Sequence, residues 1–180
     1  MPITADHIRA TIDAYLNVRP EEKERLARIT ALLDDPADIT SRKEFRGHAT
    51  AGAVLADPAG RVLHIEHLAL KRWLLPGGHL EPGDATLLAA ALRELTEETG
   101  ISASAVVPVG GSPVHIDVHP IPANPAKGEP EHQHFDFRFM FRTAAGVGEL
   151  QTEEVTDAAW CPADAIQDEA LRGRVLLALR

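Results

Sequence analysis

The sequence has one cysteine, Cys161, so no disulfide can form within the chain. No apolar run is long enough to span a bilayer, and the opening residues MPITADHIRA lack a basic-then-apolar export signal. Lysine and arginine number 18 against 27 acidic residues, a formal net charge of -9. These absences disfavour a disulfide-stapled scaffold, a membrane protein and a basic nucleic-acid-binding surface. We expect a cytoplasmic protein that has no membrane or nucleic-acid polymer as a partner.

The N-terminal region, residues 1–45, has the apolar spacing of helices. Ile8, Ile12 and Tyr15 recur at helical intervals, and Pro20 suits the first turn of a second helix. An amphipathic helix must bury its apolar face. We expect this helical extension to pack on the rest of the chain or to support a homodimer, with covering of a pocket as the remaining alternative.

Residues 46–180 mix strand and helix patterns and are expected to form the main domain. HATAGAVLAD and RVLHIEHL indicate strands around a turn, and VHIDVHPI and HFDFRFMFRT alternate with period two. Another strand is predicted to end near Trp160, and a helix follows it. Strands interspersed with outer helices predict an α/β or α+β fold with a mixed sheet.

The stretch LLPGGHLEPGDATLLAAALRELTEETGI combines a glycine turn with an acidic helix. We predict a helix from about Asp84, its N-cap, to Thr99, with Gly100 ending it. At about 100° per residue, the side of the helix expected to face the core carries Leu88, Leu92, Leu95 and Thr99. The opposite side, expected to face an open space, carries Glu94, Glu97 and Glu98.

Neighbouring carboxylates repel one another. Two explanations account for the presence of three such carboxylates on this helix. The acidic side of the helix is either a solvated surface or a site for a divalent cation. Grouped carboxylate oxygens suit Mg²⁺ or Mn²⁺, and glycine lets backbone atoms approach a ligand closely. A cation bound there would also accept phosphate oxygens as ligands.

This stretch resembles the Nudix box, G-x5-E-x7-R-E-U-x-E-E-x-G-U, in which U is a bulky apolar residue. Gly78 matches the first glycine, and RELTEETGI, residues 93–101, matches the second half at each specified position. Asp84 stands where the box has its isolated glutamate, and the gap from Asp84 to Arg93 is one residue longer. A motif of this length and spacing is specific.

The resemblance implies a Nudix-type α/β/α sandwich around a mixed sheet, and hydrolysis of a diphosphate linkage in a nucleotide-like small molecule with Mg²⁺ or Mn²⁺. By matched position, Glu97 and Glu98 would be metal ligands, and Glu94 a ligand or the base that activates water. The resemblance also implies that Arg93 orients these glutamates and that the Gly78 carbonyl completes the metal shell. A late carboxylate is expected in TEEVTDAAW, at Glu154 or alternatively at Glu153.

Two predicted strands carry several histidines. HIDVH places His115, Asp117 and His119 on one strand face. HQHFDFRF has a phenylalanine face on one side, which is predicted to be core, and a polar face on the other. That polar face carries His132, His134, Asp136 and Arg138. It is interpreted as pocket lining, a solvent face or a second metal site, and His48, His67 and His79 are candidates for the same pocket.

Two other functions on the same fold stay open at this point. A module that senses a nucleotide-like ligand without cleaving it would not need Arg93 and its three glutamates. An isoprenyl diphosphate isomerase would need a reactive cysteine near the pocket, whereas Cys161 follows Trp160 late in the chain and fits a small buried residue.

Overall fold

A mixed sheet runs through the part of the chain that the computed structural model describes, residues 2–151 and 153–180. Its strands are β1 His48–Ala56, β2 Arg61–His67, β3 Arg72–Leu74, β4 Gly77–His79, β5 Val106–Pro108, β6 His115–Ile121, β7 His132–Thr143 and β8 Val155–Pro162. The helices are α1 Ala5–Val18, α2 Lys23–Asp34, α3 Leu87–Thr99 and α4 Glu169–Ala178. None of the helices among the described residues is long and apolar enough to cross a membrane.

Strand pairing gives the sheet a central parallel pair with antiparallel neighbours. The main order is β3-β2-β1-β7-β5, in which β1 and β7 are parallel, while β4 pairs with β1, β6 with β7 and β8 with β2. The short strand β4 contains the glycine turn of the box and pairs antiparallel with β1. The glycines therefore lie on the sheet itself, next to its central strand.

Alternation along the strands sends side chains into two cores on opposite faces of the sheet. Ala53 and Phe139 belong to the core on the α3 side, whereas the next residues, Val54 and Met140, belong to the core beneath α4. The phenylalanine face of β7 is buried, as predicted. Helices on both faces of a mixed sheet confirm the predicted sandwich.

The N-terminal helices join the core on the α3 side. Ile8 and Ile12 of α1 and Leu26 and Ile29 of α2 are fully buried and belong to the same cluster as Phe135. The prediction that the extension packs on the rest of the chain is therefore confirmed. Support of a homodimer stays a prediction.

A buried ionic network ties this extension to the last helix. Glu22, 9% exposed, accepts hydrogen bonds from Arg25 and from Arg174 of α4. Arg174 also donates to the Tyr15 hydroxyl at 2.5 Å and contacts the buried ring of His115. Although burial opposes ionisation, the hydrogen bonds from the two arginines lower the pKa of Glu22. The network connects α1, the turn before α2, and α4 at the edge of the sheet formed by β6.

Replacing Glu22 with glutamine is expected to destabilise the fold by about 1–3 kcal/mol at pH 7, because it leaves Arg174 partly buried without its carboxylate. The carboxylate contributes fully above its ordinary pKa of 4.5, and the contribution is lost progressively as the pH falls from that value through the lowered pKa of the folded state. Urea unfolding at pH 7 and pH 4 measures both effects. Glu21→Gln, at the exposed neighbouring position, is the control and should change little. Equal losses in the two variants would contradict the role of the network.

Candidate active site

Helix α3 carries the acidic part of the box and begins at Leu87, three residues later than predicted. Its N-cap is Thr86, whose side chain accepts a hydrogen bond from the Ala89 amide, and Gly100 ends it in the left-handed conformation. The capping role predicted for Asp84 is therefore wrong. Since threonine also caps well, it starts the helix nearer to its apolar residues and leaves Asp84 free for another partner.

The helix is rotated relative to the prediction, so its glutamates are not equally exposed. Leu95 and Thr99 are buried as predicted, but Leu88 and Leu92 are only partly buried. Glu98 is 3% exposed, and the side chain of Glu94 is 12% exposed, whereas that of Glu97 is 45% exposed. The expectation of an acidic side facing open space holds for Glu97 and is wrong for Glu98.

The buried glutamates lie against the glycines of β4, where the absence of side chains makes room for them. Glu98 Oε2 accepts a hydrogen bond from the Gly77 amide at 2.9 Å. The Glu94 carboxylate lies over Gly78, where a Cβ atom would come within 2.6 Å of Glu94 Oε1. The glycine strand and the acidic helix are thus in direct contact, as the motif predicts.

Burial makes these two carboxylates hard to ionise. Desolvation raises the pKa of Glu98 to about 8, with the charges of Glu94, Glu154 and Glu97 adding to the effect. Desolvation likewise raises the pKa of Glu94 to about 7, against the opposing effect of Arg93. A cation at this site would favour the charged forms, so the electrostatics match a cation-binding cluster.

Glu154 comes close to the helix from the turn that precedes β8. Its carbonyl accepts a hydrogen bond from the Leu68 amide at 2.8 Å, and its charge contributes to the raised pKa of both Glu94 and Glu98. We call Glu94, Glu97, Glu98 and Glu154 the acidic cluster. Within the described ranges, no three carboxylates of this cluster have oxygens mutually within 4.8 Å. The carboxylates are neighbours, but they do not converge on one point.

Arg93 links two of these carboxylates and holds them in place. Its Nη1 atom donates to Glu94 Oε1 at 3.1 Å and to Glu97 Oε2 at 2.8 Å. Its Nε and Nη2 atoms each donate to the Asp84 carboxylate at 3.0 Å, and Nη2 also reaches the His79 carbonyl at 2.9 Å. Asp84 is 5% exposed and also accepts from the Glu81 amide. The altered loop therefore supplies the carboxylate that holds Arg93, a role that the sequence interpretation missed.

Gly78→Ala is expected to lower turnover by roughly 10–100-fold, the effect of misplacing a group that supports a catalytic centre. The new methyl group would displace the flexible end of Glu94, whereas Gly78 has an ordinary φ angle that alanine can adopt. Thermal unfolding should therefore change little while the rate of substrate cleavage falls. Gly83→Ala, in the loop that follows β4 and with open space around it, is the matched control. Full activity of Gly78→Ala would show that the position of Glu94 does not matter.

Histidines line the face of the sheet opposite to helix α3. His48 and His132 are 1% and 6% exposed, and His79 and His134 are partly buried beside them. The His48 ring centroid lies 5.2 Å from that of His79, 5.0 Å from that of His132 and 4.7 Å from that of His134. We call these four residues the histidine cluster. Their burial excludes the plain solvent-face interpretation for this part of the strands.

Burial favours the neutral form of three rings of this cluster, those of His48, His79 and His134. Desolvation, with the charges of Arg42 and His48 adding to it, lowers the pKa of His79 to about 4. Desolvation and the neighbouring histidines lower the pKa of His134 to about 2, and burial also lowers the pKa of His48. At neutral pH these rings carry lone pairs and can accept hydrogen bonds or bind a metal.

The polar face continues from the histidine cluster along β7 and β6. Asp136 and Arg138 form an ion pair at 2.5 Å, and Asp117 pairs with His119 at 2.9 Å. His119 also lies beside His134, with the ring centroids 5.8 Å apart. Together with His79, His132 and His134, the predicted substrate-binding residues therefore form one continuous surface.

Three other residues lie apart from this surface. His115 belongs to the network of Arg174, although it shares a strand face with Asp117. His67 accepts a hydrogen bond from Leu70 in the turn after β2. Cys161 lies near the end of β8 remote from Glu154, about 20 Å along the strand at the usual rise. This position argues against the isomerase alternative, which needs a cysteine at the pocket.

Comparison with known proteins places the main domain in one family. Residues 46–179 match the family model described as the NUDIX domain. A Lactococcus lactis protein named "Probable DHNTP pyrophosphohydrolase" is 34% identical over 138 residues, which cover 74% of this chain and 77% of that protein. Phosphatase NudJ of Escherichia coli is 46% identical over 61 residues, 33% of this chain and 39% of NudJ.

Solved structures show the same fold. A NUDIX-family hydrolase from Clostridium perfringens superposes with a TM-score of 0.54 at 19% identity, over 73% of this chain and 95% of that one. The dihydroneopterin triphosphate pyrophosphohydrolase of Escherichia coli gives a TM-score of 0.52 at 18% identity, over 72% of this chain and 92% of that one. At these identities the likeness is one of architecture.

Proposed function

The chain belongs to the Nudix hydrolase family, and on that premise we propose that it is a divalent-metal-dependent pyrophosphohydrolase acting on a nucleotide-like small molecule. The observation that carries the proposal is the placement of Glu98 and Glu94. Glu98 is buried and Glu94 largely buried against the glycine strand β4, and both have a raised pKa. Carboxylates that are costly to ionise and lie beside two further glutamates need a cation to offset their charge.

The donor set fits Mg²⁺ or Mn²⁺ rather than a softer metal. The acidic cluster offers carboxylate oxygens, and the adjoining glycine strand adds the Gly78 carbonyl as a further oxygen donor, the ligands that these hard cations prefer. The exposed side chain of Glu97 and the buried side chain of Glu98 would both hold the cation. When bound, such a cation screens the negative charge of a diphosphate and lowers the pKa of water.

The side chains around the acidic cluster have separate roles in the proposed reaction. Arg93 holds Glu94 and Glu97 at fixed positions through one guanidinium nitrogen, so both carboxylates are oriented before substrate arrives. Glu94, beside Gly78, is a ligand or the base that accepts the proton of the attacking water. Glu154 supplies the late carboxylate, and its charge acts on both Glu94 and Glu98. Cleavage of the phosphorus–oxygen bond leaves two phosphate-bearing fragments, or a phosphate-bearing fragment and an alcohol.

For the non-phosphate part of the substrate we propose the polar face on the other side of β4. Gly77 and Gly78 connect the two regions, because β4 contacts the acidic cluster while the side chain of the adjacent His79 reaches the histidine cluster. Arg138, beside Asp136, supplies a cation for a charged group of the substrate. The Lactococcus lactis relative, named for DHNTP, favours a triphosphate of a heterocyclic compound among the substrates to be tested.

A substrate panel tests the proposal. Dihydroneopterin triphosphate, nucleoside triphosphates, nucleotide sugars and dinucleoside polyphosphates are incubated with the protein and Mg²⁺ or Mn²⁺, and the phosphate products are quantified. We expect metal-dependent cleavage of at least one class. The double variant Glu97→Gln, Glu98→Gln is the control and should be inactive.

The same panel distinguishes the alternative function. A ligand-sensing module would bind one of these compounds tightly, as calorimetry would show, without releasing any product. Full metal-dependent turnover by the double variant would instead leave the enzyme assignment standing and overturn the assignment of its site.

A further inference from the structure

The histidine cluster lies outside the acidic cluster and brings imidazole nitrogens together from three strands. His48 begins β1, His79 ends β4, and His132 and His134 open β7. His48, His79 and His134 can each offer a ring nitrogen such that the three atoms lie within 4.8 Å of one another. Parallel pairing of His48 with His134 fixes two of the three rings side by side.

Backbone carbonyls select the tautomer of two of these rings. His48 Nδ1 lies 3.2 Å from the Glu44 carbonyl, and His132 Nδ1 lies 2.8 Å from the Pro130 carbonyl. A carbonyl can only accept, so each Nδ1 carries the proton and each Nε2 carries a lone pair. This arrangement, with a backbone carbonyl behind the ring, is the one that orients histidines bound to metals.

The lone pair of His48 has no donor to satisfy it. His48 is 1% exposed, and its buried Nε2 atom has no hydrogen-bond partner among the described residues. A buried polar atom without a partner costs about 1–3 kcal/mol, so ordinary packing does not explain the arrangement. The neighbouring rings of His79 and His134 offer further nitrogens on the same side, as a shared ligand would require.

The spacing suits a tetrahedral ion with nitrogen ligands. Two nitrogens bound to one tetrahedral Zn²⁺ at roughly 2.0–2.1 Å lie about 3.3 Å apart. The Nε2 atoms of His132 and His134 are already 3.3 Å apart. The nitrogens of His48 and His79 lie within 4.8 Å of a His134 nitrogen. Modest ring rotations would shorten these distances to about the 3.3 Å expected for ligands of one Zn²⁺ ion.

We propose that His48, His79 and His134 bind a Zn²⁺ ion, with His132 beside them as the candidate fourth ligand. Imidazole is a borderline ligand that suits Zn²⁺, whereas Mg²⁺ prefers oxygen, so the histidine cluster and the acidic cluster take different metals. The His79 carbonyl accepts from Arg93 while the His79 ring faces the cluster. The zinc site therefore shares a residue with the support of the acidic cluster and lies on the proposed substrate face.

Zinc titration of the metal-stripped protein tests this site without reference to activity. The background is the Glu97→Gln, Glu98→Gln variant, in which binding at the acidic cluster is suppressed. Competition with a chromophoric chelator should give one Zn²⁺ per chain. His79→Gln and His134→Gln should each weaken binding by at least about 100-fold, the upper end of what loss of an outer-shell partner costs. Co²⁺ bound in place of Zn²⁺ should show the visible absorption of a four-coordinate site, lost in the same variants.

His64→Gln is the matched control, because His64 is also buried, at 8% exposure, and also contacts a backbone carbonyl through Nδ1. It should bind zinc like its parent. Binding that is absent, or that both cluster variants retain, would overturn the proposal. If the cluster variants do not fold, X-ray absorption of the unaltered protein with one equivalent of Zn²⁺ decides instead. Three or more imidazole ligands support the site, and fewer than three overturn it.

Discussion

Glu98→Gln is expected to reduce metal-dependent turnover at least about 100-fold and yet to stabilise the metal-free protein. Loss of an outer-shell partner costs roughly 10–100-fold, and a direct ligand should matter more. Glutamine keeps an oxygen that can accept from the Gly77 amide, so the local geometry survives. It removes only the charge, whose burial is unfavourable in the absence of a cation.

The stabilisation should depend on pH in a defined direction. Burial raises the pKa of Glu98 from 4.5 to about 8 in the folded protein. Below pH 4.5 the carboxyl is protonated in both states and has no penalty. Between pH 4.5 and about 8 the unfolded state ionises while the folded state stays protonated, so the fold loses stability over that range. The advantage of the variant should therefore grow between pH 5 and pH 8, reaching on the order of 1 kcal/mol, or about 2–4 °C in melting temperature.

Thermal unfolding in a chelator and in Mg²⁺, at several pH values, measures this difference. Added Mg²⁺ should stabilise the unaltered protein more than the variant, and so reduce or reverse the difference between their melting temperatures. Glu24→Gln, at an exposed position on α2, is the control and should alter neither activity nor pH dependence. A variant that melts lower than its parent at pH 8 without metal would mean that Glu98 is not held as a desolvated carboxylate.

Periodicity and the motif predicted the fold and the contact between the glycine strand and the acidic helix. Strands β6 and β7 and the buried phenylalanine face of β7 follow from alternation along the chain, whereas β1 and β2 are indicated by the turn between them. Gly78 and Glu94 could be paired because the motif fixes their separation. These features are local, and a sequence specifies local features through spacing alone.

The features that the sequence did not reveal depend on contacts between distant segments. Glu98 was expected to be exposed, because a helical projection does not show that a strand of glycines lies against it. The bond between Asp84 and Arg93 crosses the irregular loop before α3, where no period applies. The link from Glu22 to Arg174 joins the two ends of the chain. In each case the missing information was which surfaces meet.

Disruption of the ion pair between Asp84 and Arg93 is expected to have the second large effect on stability and turnover. Arg93→Lys is expected to destabilise the fold by about 2–4 kcal/mol and to reduce turnover by at least about tenfold. Lysine keeps the charge, but it cannot make the two parallel bonds to Asp84 and still reach the His79 carbonyl. Asp84, 5% exposed, would remain buried with an incomplete partner, and the loss of one partner from a buried pair is costly. Urea unfolding and the cleavage assay measure the two losses.

A double-mutant cycle shows whether Asp84 acts through Arg93. Arg93→Met and Asp84→Asn are made singly and together, and the free energy of unfolding and the catalytic rate are measured for each. If Asp84 serves to hold Arg93, the double variant should lose little more than Arg93→Met alone, because the second change then removes a partner that is already unpaired. Losses that simply add would show that Asp84 acts independently. Such additivity would restore the possibility that Asp84 takes the part of the glutamate it replaces in the box, despite its present pairing with Arg93.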